Sequence, residues 1–161
     1  EASYILFLLK PHHKNFGKRL VKTPKLYFYD TGLAAWLLGI DNAGQMSVHA
    51  MRSFLFEGLV VTELLKGRYN DGLDSNLYFW RDNTGNEIDL LAEKADTLVP
   101  IEIKSGQTVT KDYFTGIEKW LKISDAATKS PCVIYGGNES QRRLGIEVVP
   151  WRDMVKLTEH Q

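Results

Sequence analysis

Residues 85–106, which read GNEIDLLAEKADTLVPIEIKSG, contain the pattern that decides the fold. Two segments of this stretch, residues 87–93 and 98–104, have the length and composition of β-strands. The polar stretch between them is short, so we expect an antiparallel hairpin in which Glu93 pairs with Leu98 across a four-residue loop. That register fixes which side chains oppose each other.

The charged residues of this hairpin are expected on one face. Residues two apart on a strand point the same way, so Glu87 and Asp89 share a face. Glu102 and Lys104 share a face for the same reason. Counting outward from the loop sets Asp89 opposite Glu102, and Glu87 opposite Lys104. Opposed Cβ atoms lie about 4.5–5.5 Å apart, so the Asp89 and Glu102 carboxylates are predicted to share one hard cation.

Apolar residues are expected on the opposite face of the hairpin, which is predicted to be buried: Ile88, Leu90, Ile101 and Ile103. A third carboxylate, Glu57, lies on the apolar stripe of a helix predicted over residues 48–66, among Phe54, Val61 and Leu64. Burial penalises an ionised carboxylate unless a positive or hydrogen-bonding group meets it. The position of Glu57 therefore predicts a metal ion or a basic partner.

The remaining elements complete an α/β pattern. We predict strands at residues 3–9, 25–29, 77–81 and 132–135, a small edge strand at 147–149, helices at 31–38 and 111–123, and a last amphipathic turn within 151–159. The helix at 31–38 is predicted to be buried and to be capped by Asp30. The polar residues 41–47 divide an amino-terminal piece, residues 1–46, from a core domain, residues 47–161.

Charge and cysteine content exclude several classes of protein. Twenty basic and twenty acidic residues cancel, so no global field attracts nucleic acid or an anionic membrane. One cysteine and four scattered histidines lack the spacing of a zinc site. These features predict a cytoplasmic protein, and no apolar run is long enough to cross a bilayer. The chain begins with Glu1 rather than Met, so we expect part of a longer protein.

Basic residues cluster between residues 10 and 25, where no acidic residue occurs. Clustered cations bind nucleic acid by displacing counterions, so we predict nucleic-acid contacts, with DNA favoured, from Lys14, Lys18, Arg19 and Lys22. The two flanking strands and this loop resemble the wing of a winged-helix domain whose helices would precede Glu1. The alternative is a plain solvated hairpin.

Two motifs give the chain a family resemblance. GNEID at residues 85–89 and PIEIKSG at residues 100–106 resemble the strand pair of the PD-(D/E)xK phosphodiesterases, and Glu57 matches the acidic residue of their first core helix. Ile88 stands where the superfamily motif has proline. KTPKLYFYDTGL at residues 22–33 and the pair Phe56-Glu57 are similar to the DUF4143 domain, found at the carboxyl end of prokaryotic AAA-type ATPases.

This resemblance implies a restriction-endonuclease-like core of helix, three-stranded meander, helix and strand, with an ATPase upstream. It implies a Mg²⁺ or Mn²⁺ ion on Asp89 and Glu102, with the Ile103 carbonyl as a further ligand. Lys104 would activate the water that attacks phosphorus, and Glu57 would complete the site or orient a water. Glu87 is expected to support Lys104 or to act as an alternative ligand.

Two alternatives to an enzyme fit the same residues. In the first alternative, the charged residues of the hairpin form a salt-bridge network, and the domain is non-catalytic and brings the ATPase to nucleic acid or to a protein. Alternatively, the chain is an oligomerisation domain, because the aromatic side chains of Tyr27, Tyr29 and Trp36 suit an interface as well as a core.

Overall fold

The chain has an α/β fold with a mixed sheet, which confirms the predicted class. The computed structural model describes residues 4–12, 20–124 and 126–154. In chain order the elements are β1 (Leu6–Leu9), β2 (Lys25–Phe28), α1 (Thr31–Leu37), α2 (Ala43–Val48), α3 (Arg52–Asn70), β3 (Leu77–Arg81), β4 (Glu87–Lys94), β5 (Thr97–Lys104), α4 (Asp112–Ile123), β6 (Cys132–Tyr135), β7 (Gln141–Arg143) and β8 (Ile146–Pro150), followed by the 3-10 turn Trp151–Asp153.

Two sheets organise these strands. β1 and β2 pair antiparallel as a separate two-stranded sheet. The other six form one sheet in the order β3-β4-β5-β6-β8-β7. β3, β4 and β5 form an antiparallel meander, β5, β6 and β8 run parallel, and β7 pairs antiparallel with β8. The carboxyl ends of β5, β6 and β8 therefore lie side by side at the same end of the sheet.

Helices cover both faces of the large sheet. Val61 and Leu64 of α3 belong to one core cluster with side chains of β3, β5 and β6, and we call this side the α3 face. Phe114 and Ile117 of α4 belong to a second cluster on the other side, the α4 face. All four residues of β6 are buried, as expected for a parallel strand covered on both faces.

The first helix is capped as predicted but is not fully buried. The Asp30 side chain accepts hydrogen bonds from two backbone N–H groups of the first turn of α1. Trp36 and Leu37 are 67% and 59% exposed, so the predicted burial of this helix is wrong. Only the small residues of α1 are buried, namely Ala34 and Ala35.

Other predictions were wrong in detail. The short helix α2 was not predicted, and its first turn is capped by the Asn42 side chain. The long helix begins at Arg52 rather than at residue 48. The strand predicted at 147–149 is β8, which lies inside the sheet because the unpredicted strand β7 covers its outer edge. Within the described residues, no helix combines the length and apolarity needed to cross a membrane.

Candidate active site

The hairpin of β4 and β5 has the predicted register near its loop. Glu93 pairs with Leu98, and Leu90 pairs with Ile101. The loop is tighter than predicted, because Lys94 also pairs with Thr97. The predicted pairing is therefore confirmed, with a two-residue connection in place of four residues.

A bulge in β4 changes which residues share a face. The pairing of β3 with β4 shifts between Tyr78 and Trp80, and the alternation of β4 breaks at Asp89. As a result Ile88 lies in the α4-face cluster, whereas Leu90 lies in the α3-face cluster. The predicted single apolar side of the hairpin is wrong for this reason, and both faces are covered by helices.

At this bulge the Asp89 carboxylate contacts the backbone of β5. Its Oδ2 accepts a hydrogen bond of 2.8 Å from the backbone N–H of Ile103 in β5. The side chain thus takes the place of a backbone acceptor in the sheet ladder, so the first residues of β4 separate from β5. This position brings Asp89 to the carboxyl end of β5.

Asp89, Glu102 and Lys104 meet at this end of β5. Lys104 Nζ lies 2.7 Å from Glu102 Oε2 and 4.0 Å from Asp89 Oδ2. The side chain of Glu102 is only 6% exposed. Burial, followed by the charge of Asp89, raises the pKa of Glu102 from 4.5 to about 8. Burial and the charge of Glu57 raise the pKa of Asp89 as well.

Glu57 and Glu87 form ion pairs with the same lysine, Lys25. Lys25 Nζ is 2.8 Å from Glu57 Oε1 and 2.6 Å from Glu87 Oε1. Tyr27 donates a 2.5 Å hydrogen bond to the same Glu57 oxygen, and burial with Glu57 raises the pKa of Tyr27. Glu57 therefore has the basic partner that its place on the helix predicted.

The charged residues of the hairpin do not share one face, contrary to prediction. Glu87 pairs with Lys25 of β2 and with Arg81 of β3, not with Lys104. Glu102 instead faces α4, where it lies against Gly116. Lys25 was not among the predicted site residues, although Lys25 and Tyr27 are two apart on a strand and must point the same way.

Comparison with known proteins places the chain in a family. Residues 52–154, more than half of the chain, match the sequence model of DUF4143, a domain of unknown function. The chain belongs to the DUF4143 family. Residues 1–44 match a second domain of unknown function, DUF8612. The division of the chain at residue 47 stays a prediction.

Two curated proteins resemble this DUF4143 chain. They are the uncharacterized proteins Mb2031c of Mycobacterium bovis and Rv2008c of Mycobacterium tuberculosis. Each is 34% identical over 100 residues, a region that covers 62% of this chain and 22% of the relative. The chain therefore corresponds to a minor part of either relative. No solved structure matches it.

The carboxylate pair of the DUF4143 chain is compatible with a divalent ion. Mg²⁺ is commonly bound through one or two carboxylates and keeps several waters, and Asp89 and Glu102 supply such a pair. Burial is the first cause of the raised pKa of both carboxyls, and the charge of a neighbouring carboxylate is the second, Glu57 for Asp89 and Asp89 for Glu102. Among the described residues no group of three or more His, Cys, Asp or Glu side chains is arranged to hold a metal.

The predicted nucleic-acid contacts fall mostly outside the described residues. Lys14, Lys18 and Arg19 lie within residues 13–19, which the structure does not describe. Lys22 is described and exposed. These contacts stay predictions.

The close approach of α4 to Glu102 makes Gly116 sensitive to substitution. A Cβ at Gly116 would collide with the Glu102 carboxylate and lie 3.2 Å from the Glu87 carbonyl oxygen. A helical Gly→Ala change is ordinarily favourable by about 1 kcal/mol. We expect Gly116→Ala instead to lower the free energy of unfolding by about 1–3 kcal/mol, measured by urea denaturation, because a packed carboxylate must move.

Gly58→Ala in α3 is the matched control for this prediction. A Cβ there makes ordinary contacts, 3.5 Å from Thr31 Cγ2 and 3.6 Å from Tyr27 Cδ1. This substitution should be neutral or stabilising. If Gly116→Ala and Gly58→Ala stabilised the protein equally, Gly116 of α4 would not be in close contact with the Glu102 carboxylate.

The raised pKa of Glu102 makes the stability of the metal-free domain depend on pH. Between about pH 4.5 and pH 8 the folded state holds a proton that the unfolded state releases, so the free energy of unfolding falls as pH rises through this range. We expect a loss on the order of 2 kcal/mol, measured by denaturation in EDTA. Glu102→Gln should weaken this dependence of the free energy of unfolding on pH. Glu63→Gln, on the exposed surface of α3, should not change it. Parallel curves for wild type and Glu102→Gln would contradict the assignment.

Proposed function

We propose that this DUF4143 domain is a metal-dependent phosphodiesterase that acts on nucleic acid. The observation that carries the proposal is the convergence of two desolvated carboxylates, Asp89 and Glu102, on the amine of Lys104. Perturbed titratable groups placed together are typical of catalytic sites. The order α3, β3-β4-β5 meander, α4, β6 supports a restriction-endonuclease-like core, because it matches the element order of that fold.

Each residue has a distinct role in the proposed reaction. Asp89 and Glu102 hold the Mg²⁺ or Mn²⁺ ion, with the Ile103 carbonyl as a further ligand. The ion supplies Lewis-acid polarisation of a phosphoryl oxygen when it is bound. Lys104 Nζ donates hydrogen bonds that orient the attacking water and offset charge on the scissile phosphate. Glu57, fixed by Tyr27 and Lys25, orients a second water.

Protons and the divalent ion compete for this site. Burial and the charge of Asp89 raise the pKa of Glu102, so its carboxyl holds a proton more readily than that of an exposed glutamate. Binding of a cation requires the carboxylate form, so it releases a proton and strengthens as pH rises. Glu87 is neutralised by Lys25 and Arg81, so we assign it to the support of Lys25 rather than to the ion.

A non-catalytic interaction domain is the second candidate. The observation that favours it is the pairing within the cluster, because Lys25 bridges Glu57 and Glu87, and Lys104 is in contact with Glu102. A network that is satisfied internally can hold β2, α3 and the hairpin together without any ion. In that case the domain would link an ATPase to nucleic acid or to a protein.

The proposed setting is the carboxyl-terminal part of a cytoplasmic AAA-type ATPase. The family resemblance supports it, and the matched region covers only 22% of each mycobacterial relative. In this setting the β1–β2 pair belongs to a winged-helix domain, and the basic residues between its strands contact DNA.

Calorimetric titration of Mn²⁺ beside a nuclease assay tests the proposal. We expect one ion to bind, and cleavage of DNA or RNA only when Mg²⁺ or Mn²⁺ is present, in this chain or in the proposed ATPase. Binding without cleavage on either nucleic acid would support an inactive nuclease fold. No binding at all would leave the interaction domain.

A further inference from the structure

A cavity of about 470 Å³ lies between the helices α1, α2 and α3 and the carboxyl ends of the parallel strands β5, β6 and β8. Ser105 follows β5, Asn138 follows β6 and Trp151 follows β8, so all three strands contribute to its wall. α1, α2 and α3 form the opposite wall. Ligands of open α/β sheets bind in the crevice outside the carboxyl ends of strands, and the volume suits a small molecule.

The cavity is electropositive. Arg52 and Arg152 line it, and none of the described lining residues is acidic. Arg52 donates hydrogen bonds to the backbone carbonyls of Ser105, at 2.7 Å, and Ser47, at 3.4 Å. Arg152 contacts Asn138 Oδ1 at 3.3 Å. Neither guanidinium forms an ion pair with a carboxylate in residues 4–12, 20–124 and 126–154, so the charge of both is available to an anion.

The same cavity has an aromatic wall and amide side chains. The rings of Phe56 and Trp151 meet edge to face with centroids 6.4 Å apart, and the Arg152 guanidinium stacks 4.5 Å from the Trp151 ring centroid. Asn138 and Gln107 add amides, which have both a donor and an acceptor and suit the edge of a base. A ligand that matches all these groups has a phosphate and a planar heterocycle.

We propose that this cavity binds a nucleotide, with the phosphate at Arg52 and Arg152 and the base against Phe56 and Trp151. Guanidinium forks recognise phosphate oxygens, and aromatic rings stack on bases. The site requires no metal ion and none of the residues proposed for hydrolysis. The nucleotide is either free or the 5′-terminal residue of a strand, because both present the same phosphate and base.

Calorimetric titrations in EDTA test the site independently of the proposed phosphodiesterase. We expect adenosine 5′-monophosphate to bind, and adenosine to bind at least about 10-fold more weakly, because charged hydrogen bonds to the phosphate are lost. Arg152→Gln should weaken binding of the monophosphate about 10- to 100-fold, so that the monophosphate no longer binds more tightly than adenosine. A 5′-phosphorylated oligonucleotide compared with its unphosphorylated form distinguishes a strand end from a free nucleotide.

Arg143→Gln is the matched control, because Arg143 is exposed on the edge strand β7 and the change removes the same charge. It should leave affinity unchanged. Binding by either phosphorylated probe that depends on Arg152 supports the site. Equal effects of the two arginine substitutions, equal affinity for adenosine and its monophosphate, or no binding of either phosphorylated probe would overturn it. Such a failure would not affect the phosphodiesterase proposal, since EDTA excludes the ion from these titrations.

Discussion

Lys104→Ala should abolish phosphodiester cleavage while Mn²⁺ still binds. The amine lies 2.7 Å from Glu102 and 4.0 Å from Asp89 but is not itself a ligand. Its loss removes the group proposed to orient the water and to offset phosphate charge, a contribution worth about 100-fold or more in rate. Cleavage assays and calorimetric Mn²⁺ titration on the same preparation measure the two effects separately.

Asp89→Asn and Glu102→Gln should lose the ion together with the activity. An amide keeps the size of the carboxylate but not the charge that holds a hard dication. The separation of phenotypes follows from the proposed roles, since two residues hold the ion and one acts on the water. Lys66→Ala is the matched lysine control, because Lys66 pairs with Glu63 on the exposed side of α3, away from the cluster.

Two outcomes would contradict these roles. If Lys104→Ala abolished Mn²⁺ binding as completely as Asp89→Asn, Lys104 would be needed to build the site rather than to perform the chemistry. If Glu102→Gln cleaved at the wild-type rate, the ion would not depend on the desolvated pair. Either result would leave the salt-bridge network as the better explanation of the cluster.

Local patterns in the sequence predicted most of the sheet. β3, β4, β5 and β6 fall where runs of apolar and charged residues predicted them, because strand composition and short turns are local properties. The Glu93–Leu98 pair was predictable for the same reason, since a short loop permits few registers. Asp89, Glu102 and Lys104 could be grouped because they belong to one hairpin.

Features that depend on distant segments could not be predicted in this way. Alternation alone indicates neither the bulge in β4 nor the hydrogen bond that the Asp89 carboxylate accepts from Ile103 N–H. The exposed position of Trp36 depends on which elements cover α1. The cavity at the carboxyl ends of β5, β6 and β8 combines three strand ends with three helices, and no single stretch of sequence carries its pattern.

Lys25→Met should lower the free energy of unfolding by about 2–3 kcal/mol. Removing one partner of a buried ion pair costs about 3–5 kcal/mol because it leaves an uncompensated charge. Here Lys25, Glu57 and Glu87 are 19%, 16% and 24% exposed, so water screens part of the penalty. The amine holds two carboxylates, and without it they repel each other across the junction of β2, α3 and β4.

The double variant Lys25→Met, Glu57→Gln separates this repulsion from lost packing. Removing the Glu57 charge should restore at least half of the lost stability, because Glu87 then keeps Arg81 as its partner. Lys66→Met provides the control, since its pair with Glu63 is 49% and 38% exposed and contributes less than about 1 kcal/mol. Urea denaturation of the wild type, Lys25→Met, Glu57→Gln and the double variant measures the coupling. If the double variant were no more stable than Lys25→Met, the lysine would act through the packing of its chain over the Phe79 ring and not through charge.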